Sequence, residues 1–162
     1  MFASIRKVIK SLLYPLYEWR LVGSLDFSKT PHHVGVILDG NRRWAKSNPT
    51  LNDPHGHKAG ASKIIDFLGW CEEAEVKVVT LWLLSTDNFK RSQEEIDELL
   101  TVIGNTVDEL AATGRWNIKP VGALDLLPPW LADKLAALKP IRSDGVEVNV
   151  ALIQTEKHRI IL

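Results

Sequence analysis

The 162-residue chain holds a single cysteine, Cys71, so no internal disulfide can form, and a reducing, cytoplasmic setting is the expectation. Cys71 falls on the apolar side of a predicted helix, which favours burial over reactivity. Excess charge is also lacking. Twenty basic residues balance 20 acidic ones for a net charge of +0, so no global field points to nucleic acid and any anion site must be local. No apolar run reaches the ~18 residues needed to span a membrane, and neither the apolar core nor the cleavage site of a secretory signal is present. Internal repeats are absent. So are G-x-G-x-x-G and G-x-x-x-x-G-K-[ST], which ranks nucleotide-binding domains of those kinds low. With 45% hydrophobic and 25% charged residues, the composition suits one globular domain with a real core.

At the amino terminus, Arg6, Lys7 and Lys10 alternate with Phe2, Ile5, Ile9, Leu12, Leu13 and Leu16 at helical spacing, until Pro15, Glu18 and Arg20 interrupt the pattern. The spacing predicts an amphipathic basic helix. Its apolar face either lies on an anionic membrane surface or packs on the domain.

The chain is organised around residues 33–46, where the apolar run Val34, Val36, Ile37, Leu38 stops on Asp39-Gly40-Asn41-Arg42-Arg43-Trp44-Ala45-Lys46. The run reads as a strand covered on both faces, and Gly40-Asn41 as a tight turn, because both residues tolerate positive φ. Such a turn suits a diphosphate: backbone N–H groups at Gly40 and Asn41, bidentate Arg42 and Arg43, and Asp39 to hold Mg²⁺. The alternative is a strand end followed by a solvated basic turn. Residues 47–54 read as a loop. A helix from about His57 to Glu75 then carries an apolar stripe of Ala61, Ile64, Ile65, Leu68 and Cys71. His55 and His57 stand at its entrance without a third ligand at zinc spacing, so His57 suits phosphate better than metal.

Val76–Leu84 reads as a second buried strand, ending in Ser85-Thr86-Asp87-Asn88-Phe89-Lys90-Arg91. Ser92 opens the next helix, with Glu95 completing a capping box and Ile96, Leu99, Leu100, Ile103, Val107 and Leu110 on its buried face. A third strand covers Asn117–Gly122, where Pro120 demands an edge or a bulge. A short helix runs from Pro128-Pro129 to Leu138, and a fourth strand covers Val146–Ile153. The alternation predicts an α/β fold: a mostly parallel sheet of about four strands with helices on both faces. Ligands of such sheets sit beyond the carboxyl ends of the strands, where segments 39–46 and 85–91 converge.

Asp39 to Lys46, then Gly56-His57-Lys58-Ala59-Gly60, then Ser85 to Arg91, in that order and spacing, closely resemble the cis-prenyltransferases, the undecaprenyl diphosphate synthase family. The resemblance covers roughly residues 30–152. It implies Z-selective condensation of isopentenyl diphosphate with an allylic diphosphate, with Mg²⁺ as cofactor. By position, Asp39 would be the metal-binding aspartate and Gly40, Asn41, Arg42 and Arg43 the diphosphate loop. Trp44 and His57 would neighbour the allylic substrate. Asn88 would assist proton removal, with Ser85, Thr86, Asp87, Phe89 and Arg91 around it on the substrate side.

Departures from the family pattern are also informative. Asp53 replaces an arginine, and Arg42 fills a position that is often glycine. Asp87 and Phe89 replace Glu and Trp, as in the short-chain Z-farnesyl-type branch. After Asn149-Val150-Ala151 the Tyr-Gly-Gly-Arg run does not follow, nor do the Arg-x-Ser-Gly and Arg-x-Ser stretches that hold isopentenyl diphosphate in relatives. Much of the homodimer interface lies there too. The expected organisation is therefore a helical segment at 1–29, an incomplete α/β domain at 30–153, short of the six-stranded family sheet, and a divergent tail at 154–162. Impaired transfer and an apolar sheet edge at 146–153 are the expected consequences. The other class consistent with the resemblance is a non-catalytic partner subunit of a prenyltransferase.

Overall fold

A computed structural model describes residues 13–17, 19–49, 56–141 and 145–154, and the chain divides into two compact units, 1–30 and 31–162. In the first, residues 13–17 and 19–22 are helical, so helical geometry continues past Pro15. A 3-10 turn follows at Phe27–Lys29, N-capped by Asp26. The Ser28 hydroxyl (2.6 Å), then Lys29 Nζ (3.0 Å) and the Ser28 N–H (3.2 Å), hold the Asp26 carboxyl below the usual carboxylate range. Leu13, Tyr14, Leu16, Tyr17, Trp19, Leu21 and Val22 are all exposed. Arg6, Lys7 and Lys10 lie outside the described residues, as do Asp53 and His55.

The second unit is a four-stranded parallel sheet: β1 (His33–Ile37), β2 (Val78–Ser85), β3 (Asn117–Gly122) and β4 (Glu147–Gln154), in the order β1-β2-β4-β3. Between the strands come α1 (Asn41–Ser47), α2 (His57–Glu73), α3 (Gln93–Ala112) and α4 (Pro129–Ala136). Parallel neighbours need crossovers of this kind, because a hairpin turn cannot return the chain to the same end of the sheet. Local chemistry sets the helix ends. Ser92 Oγ accepts the Glu95 N–H at 3.3 Å, Glu94 and Glu95 complement the first-turn dipole, and Pro129 opens α4, where its missing N–H costs nothing. The predicted capping box is only half made. The Glu95 carboxylate takes the Arg91 guanidinium at 3.0 Å instead, a charge-assisted bond stronger than one to the Ser92 amide. After α2 the chain reverses through Glu75 at φ 62°, which ends the helix two residues short of the predicted boundary.

Register explains where the core sits. Val34, Val79, Val148 and Ile118 align across the sheet, as do Val36, Leu81, Val150 and Pro120. These rows share one face, and with Ile64, Leu68, Leu99, Ile103, Leu131 and Leu135 of the helices they form the apolar core. The expected parallel sheet of four strands is present, but among the described residues this core gathers on one face rather than two. On the other face Ile37 is 69% exposed and Trp82 39%, and Lys119 pairs with Glu147. The reading of β1 as covered on both faces is thereby corrected: Val34 and Val36 face the core, whereas Gly35 and Ile37 on the other face are exposed. The expected apolar edge at 146–153 is corrected too. Strand β4 lies inside the sheet, between β2 and β3, with Val148, Val150, Ala151 and Leu152 at 0% exposure. Pro120 occupies edge strand β3, as its missing N–H requires.

Trp116, at 0% exposure, donates Nε1–H to Glu72 Oε2 at 3.3 Å, while Arg115 lies 4.7 Å above its ring and 2.6 Å from the same carboxylate. Trp116→Ala should lower stability in urea unfolding by about 3–5 kcal/mol, the cost of removing a large buried ring. Cys71 is buried, and burial pushes its thiol pKa up. Disulfide-exchange reagents should therefore label the folded protein slowly and the urea-unfolded chain fast. Two glycines fix α1 against α2. A Cβ on Gly56 would stand 2.3 Å from the Asn41 carbonyl oxygen, at a φ of +70°, and one on Gly60 would stand 2.7 Å from Asn41 Oδ1. Gly56→Ala should cost about 1–3 kcal/mol from backbone strain alone, and more for the clash. Gly60→Ala should cost less, because a side-chain amide can move. Equal, small losses in urea would show that α1 does not depend on this close approach.

Candidate active site

Strand β1 delivers the chain to Asp39, whose N–H bonds back to the Ile37 carbonyl at 3.0 Å. Gly40, at φ +92°, then turns it into α1, a conformation that favours glycine. Asp39 Oδ1 accepts the Gly40 N–H at 2.6 Å, and Oδ2 lies 3.4 Å from Arg43 Nη2. Both side chains of that pair are 82% exposed. Next door, β2 ends irregularly: its register against β4 shifts between Trp82 and Leu84 and again before Ser85. Shifts of this kind re-aim the residues that follow. Ser85 donates its N–H (2.6 Å) and its hydroxyl (3.0 Å) to Asn88 Oδ1, closing the 3-10 turn Thr86–Lys90. Ser85 and Asn88 thus cap their own turn, and the Asn88 amide nitrogen remains as a donor group. Lys90 Nζ bonds Asp87 Oδ1 at 2.7 Å; that hydrogen bond, reinforced by its charge, holds the Asp87 carboxyl below and the Lys90 ammonium above their ordinary ranges, so both are ionised at neutral pH.

The two segments border one cavity of about 980 Å³ at the carboxyl ends of β1 and β2. Asp39, Gly40, Asn41, Arg42, Arg43, His57, Ser85, Asp87, Asn88 and Arg91 all line it, joined by Lys90. Trp44, Thr86 and Phe89 are not among the lining residues, and Trp44 and Phe89 are 40% and 44% exposed. They were candidates through the family resemblance, by their positions in its motifs, and they sit on α1 and the 3-10 turn beside residues that do line the cavity. Behind the polar mouth the wall is apolar: Ala61, Ile64, Leu83, Leu99, Val102 and Ile103. The helical stripes that supply this wall were legible in the sequence only as core.

One organising residue was missed. Glu95, in the first turn of α3, is 8% exposed. Its Oε1 lies 3.0 Å from Arg91 Nη1, 3.9 Å from His57 Nε2 and 4.0 Å from Arg42 Nε. Its place within a capping pattern concealed this role, and its spacing of four from Arg91 was the available signal. The arrangement can hold a polyanion at the mouth and an apolar tail behind it.

A family model described as "Putative undecaprenyl diphosphate synthase" matches residues 37–161. The chain is 48% identical to "Isoprenyl transferase 1" of Streptomyces avermitilis, over 92% of this chain and 58% of that protein. It is 51% identical to the "(2Z,6E)-farnesyl diphosphate synthase" of Thermobifida fusca, over 86% and 56%. It thus spans little more than half the length of these curated relatives. Among solved structures, that of lavandulyl diphosphate synthase from Lavandula x intermedia in complex with dimethylallyl diphosphate superposes with a TM-score of 0.68 at 28% identity, covering 82% of this chain and 58% of that one. A probable undecaprenyl diphosphate synthase from Campylobacter jejuni shares the fold at TM-score 0.56 and 20% identity. With the family match extending over most of its length and with these identities, the chain belongs to the undecaprenyl diphosphate synthase family of prenyltransferases.

Proposed function

We propose that the cavity binds an allylic diphosphate, headgroup at the mouth and prenyl chain along the apolar wall, and that the chain serves cis-prenyl transfer to isopentenyl diphosphate. The observation that carries this reading is the union, in one cavity, of Arg42, Arg43, Lys90 and Arg91 at the mouth with a wall of Ile64, Leu83, Leu99, Val102 and Ile103 behind. A free phosphate needs only the first and a fatty chain only the second. A short product suits the resemblance to the Z-farnesyl branch, and the Thermobifida fusca relative carries such a name.

In this reading Arg43 and Arg42 take the diphosphate oxygens, and the Gly40 turn lets backbone approach them closely. As the bond from the allylic carbon to oxygen breaks, negative charge grows on the leaving diphosphate, and fixed guanidinium groups stabilise that charge more than the ground state. The Asn88 amide is not a base at neutral pH. Its part is to orient the diphosphate that receives the proton given up when the cation left by carbon–carbon bond formation collapses to the new double bond. Among the described residues no group of three or more His, Cys, Asp or Glu could hold a metal by itself. Mg²⁺ asks less, since it takes most of its oxygens from water and phosphate. Asp39, exposed beside the arginines, fits it, and when bound the ion would neutralise developing charge on the diphosphate.

Calorimetry with geranyl or farnesyl diphosphate and Mg²⁺ tests the site. Asp39→Ala and Arg43→Ala should each weaken binding by roughly 1.5–3 kcal/mol, the value of a charge-assisted contact. Unchanged binding in both variants would remove the assignment. Transfer from labelled isopentenyl diphosphate, lost in Asp39→Ala, would extend it to catalysis.

We also propose that the first unit contacts membrane peripherally. No helix among the described residues is long and apolar enough to cross one. The exposed Leu13, Tyr14, Leu16, Tyr17 and Trp19 have the amphipathic character of interfacial anchors, and Arg6, Lys7, Lys10 and Arg20 supply charge for anionic lipid. Vesicles with anionic lipid should co-sediment the chain at low salt and release it as salt rises, each basic residue contributing only about 1 kcal/mol. Co-sedimentation that survives deletion of residues 1–22 would place the contact elsewhere.

A further inference from the structure

Glu95 is the one buried carboxylate among the described residues, and Arg91, His57 and Arg42 all approach its single oxygen Oε1, at 3.0, 3.9 and 4.0 Å. These groups come from three separate pieces of chain: the segment after β2, the start of α2 and the start of α1. We propose that Glu95 is the positioning residue of the anion site, holding Arg91 and drawing Arg42, with His57 beside them, so that the remaining guanidinium donors form one cradle for the diphosphate. The proposal rests on the diphosphate reading of the cavity and assigns its organiser.

The argument is one of burial and valence. A carboxylate this far from water is tolerated only with a close cation, and Arg91, whose side chain is itself only 21% exposed, meets that need with Nη1. A guanidinium carries five N–H donors, so one bond to Glu95 leaves the rest of the fork for a ligand. Arg42, with its side chain 60% exposed, has its Nε drawn toward the same oxygen and its outer nitrogens near solvent. Position in the fold favours this role over simple repulsion. Glu95 approaches the arginines from the buried first turn of α3, while the mouth is open to solvent. Its charge therefore acts on the inner edge of each side chain and leaves the outer edge to an incoming anion.

The two effects predict opposite signs. If Glu95 only adds negative charge near the site, Glu95→Gln and Glu95→Ala should both tighten binding of inorganic pyrophosphate with Mg²⁺. If it positions, Glu95→Ala should weaken binding by roughly tenfold, within the range for coupled neighbours. Glu95→Gln, which keeps an acceptor for Arg91, should weaken it less. The loss should run through Arg91: in an Arg91→Ala background Glu95→Ala should cost little more, whereas in an Arg43→Ala background its full effect should persist, because Arg43 pairs with Asp39 and not with Glu95. General damage to the fold would instead add equally to both backgrounds. Should Glu95→Ala fail to fold, the Glu95→Gln series decides in the same way. Tightening, no change, or equal additivity overturns the proposal. If Arg43→Ala and Arg91→Ala leave pyrophosphate binding unchanged, it is the diphosphate reading of the cavity that fails.

Discussion

Everything at the candidate site depends on the parallel pairing of β1 with β2, in which Ile37 stands opposite Trp82. Two parallel strands in register must release their chains at the same edge of the sheet. Here that edge receives Asp39 to Arg43 from one strand and Ser85 to Arg91 from the other, so residues about 45 positions apart become neighbours, and the His33–Thr80 side-chain hydrogen bond at 2.8 Å ties the same two strands together. The pairing with β4 then adds the irregularity at Trp82–Ser85 that turns the second chain toward the first. Site geometry is in this sense a product of backbone hydrogen bonding, with side chains filling positions that the ladder has already set.

A second constraint operates at the glycines. Helix α1 is only seven residues long, too short to hold its place by its own hydrogen bonds. It is held because Gly56 and Gly60 let Asn41 come closer than any Cβ would permit. The Gly56-His57-Lys58-Ala59-Gly60 motif therefore has a mechanical meaning beside its chemical one. It seats the loop that carries the arginines, and it brings His57, on the same turn, to Glu95.

Much of this was legible beforehand, for physical reasons. Strand and helix periodicities located the four strands and helices α2, α3 and α4 but not α1, because residues 39–46 read as a turn and are helical from Asn41. The turn chemistry of Gly40 and the edge demand of Pro120 were local properties of those residues. What was not legible depended on who sits beside whom. An apolar run such as Val34 to Leu38 looks the same at an edge as in the middle of a sheet, so the exposure of Ile37 could not be read from it. The covering of the sheet on one face follows from which helices contribute core residues, and hydrophobic pattern alone does not assign helices to faces. Trp44 and Phe89 came to the site only through the family resemblance, by their positions in its motifs. Position in a motif does not fix which surface a side chain lines, and neither ring is among the residues that line this cavity.

Charge bookkeeping at the mouth leads one step further. Among the described residues Asp39 pairs with Arg43, Asp87 with Lys90, and Glu95 with Arg91, and Arg42 makes the 4.0 Å approach to Glu95. A diphosphate entering this site would therefore meet cations that already have partners, and the partners differ in how readily they yield. The first two pairs are exposed, and exposed ion pairs are weak because water screens them, so a doubly charged ligand could replace their acids at little cost. The Glu95 pair is sheltered, and separating it would strand a buried charge, which is far more expensive. In the proposed reading the mouth would divide into exchangeable pairs, whose arginine and lysine a ligand could take over, and one sheltered pair that would persist through binding. In that reading Asp39, with Arg43 turned to phosphate, would keep its Gly40 N–H on Oδ1 and have Oδ2 available to help hold a divalent cation.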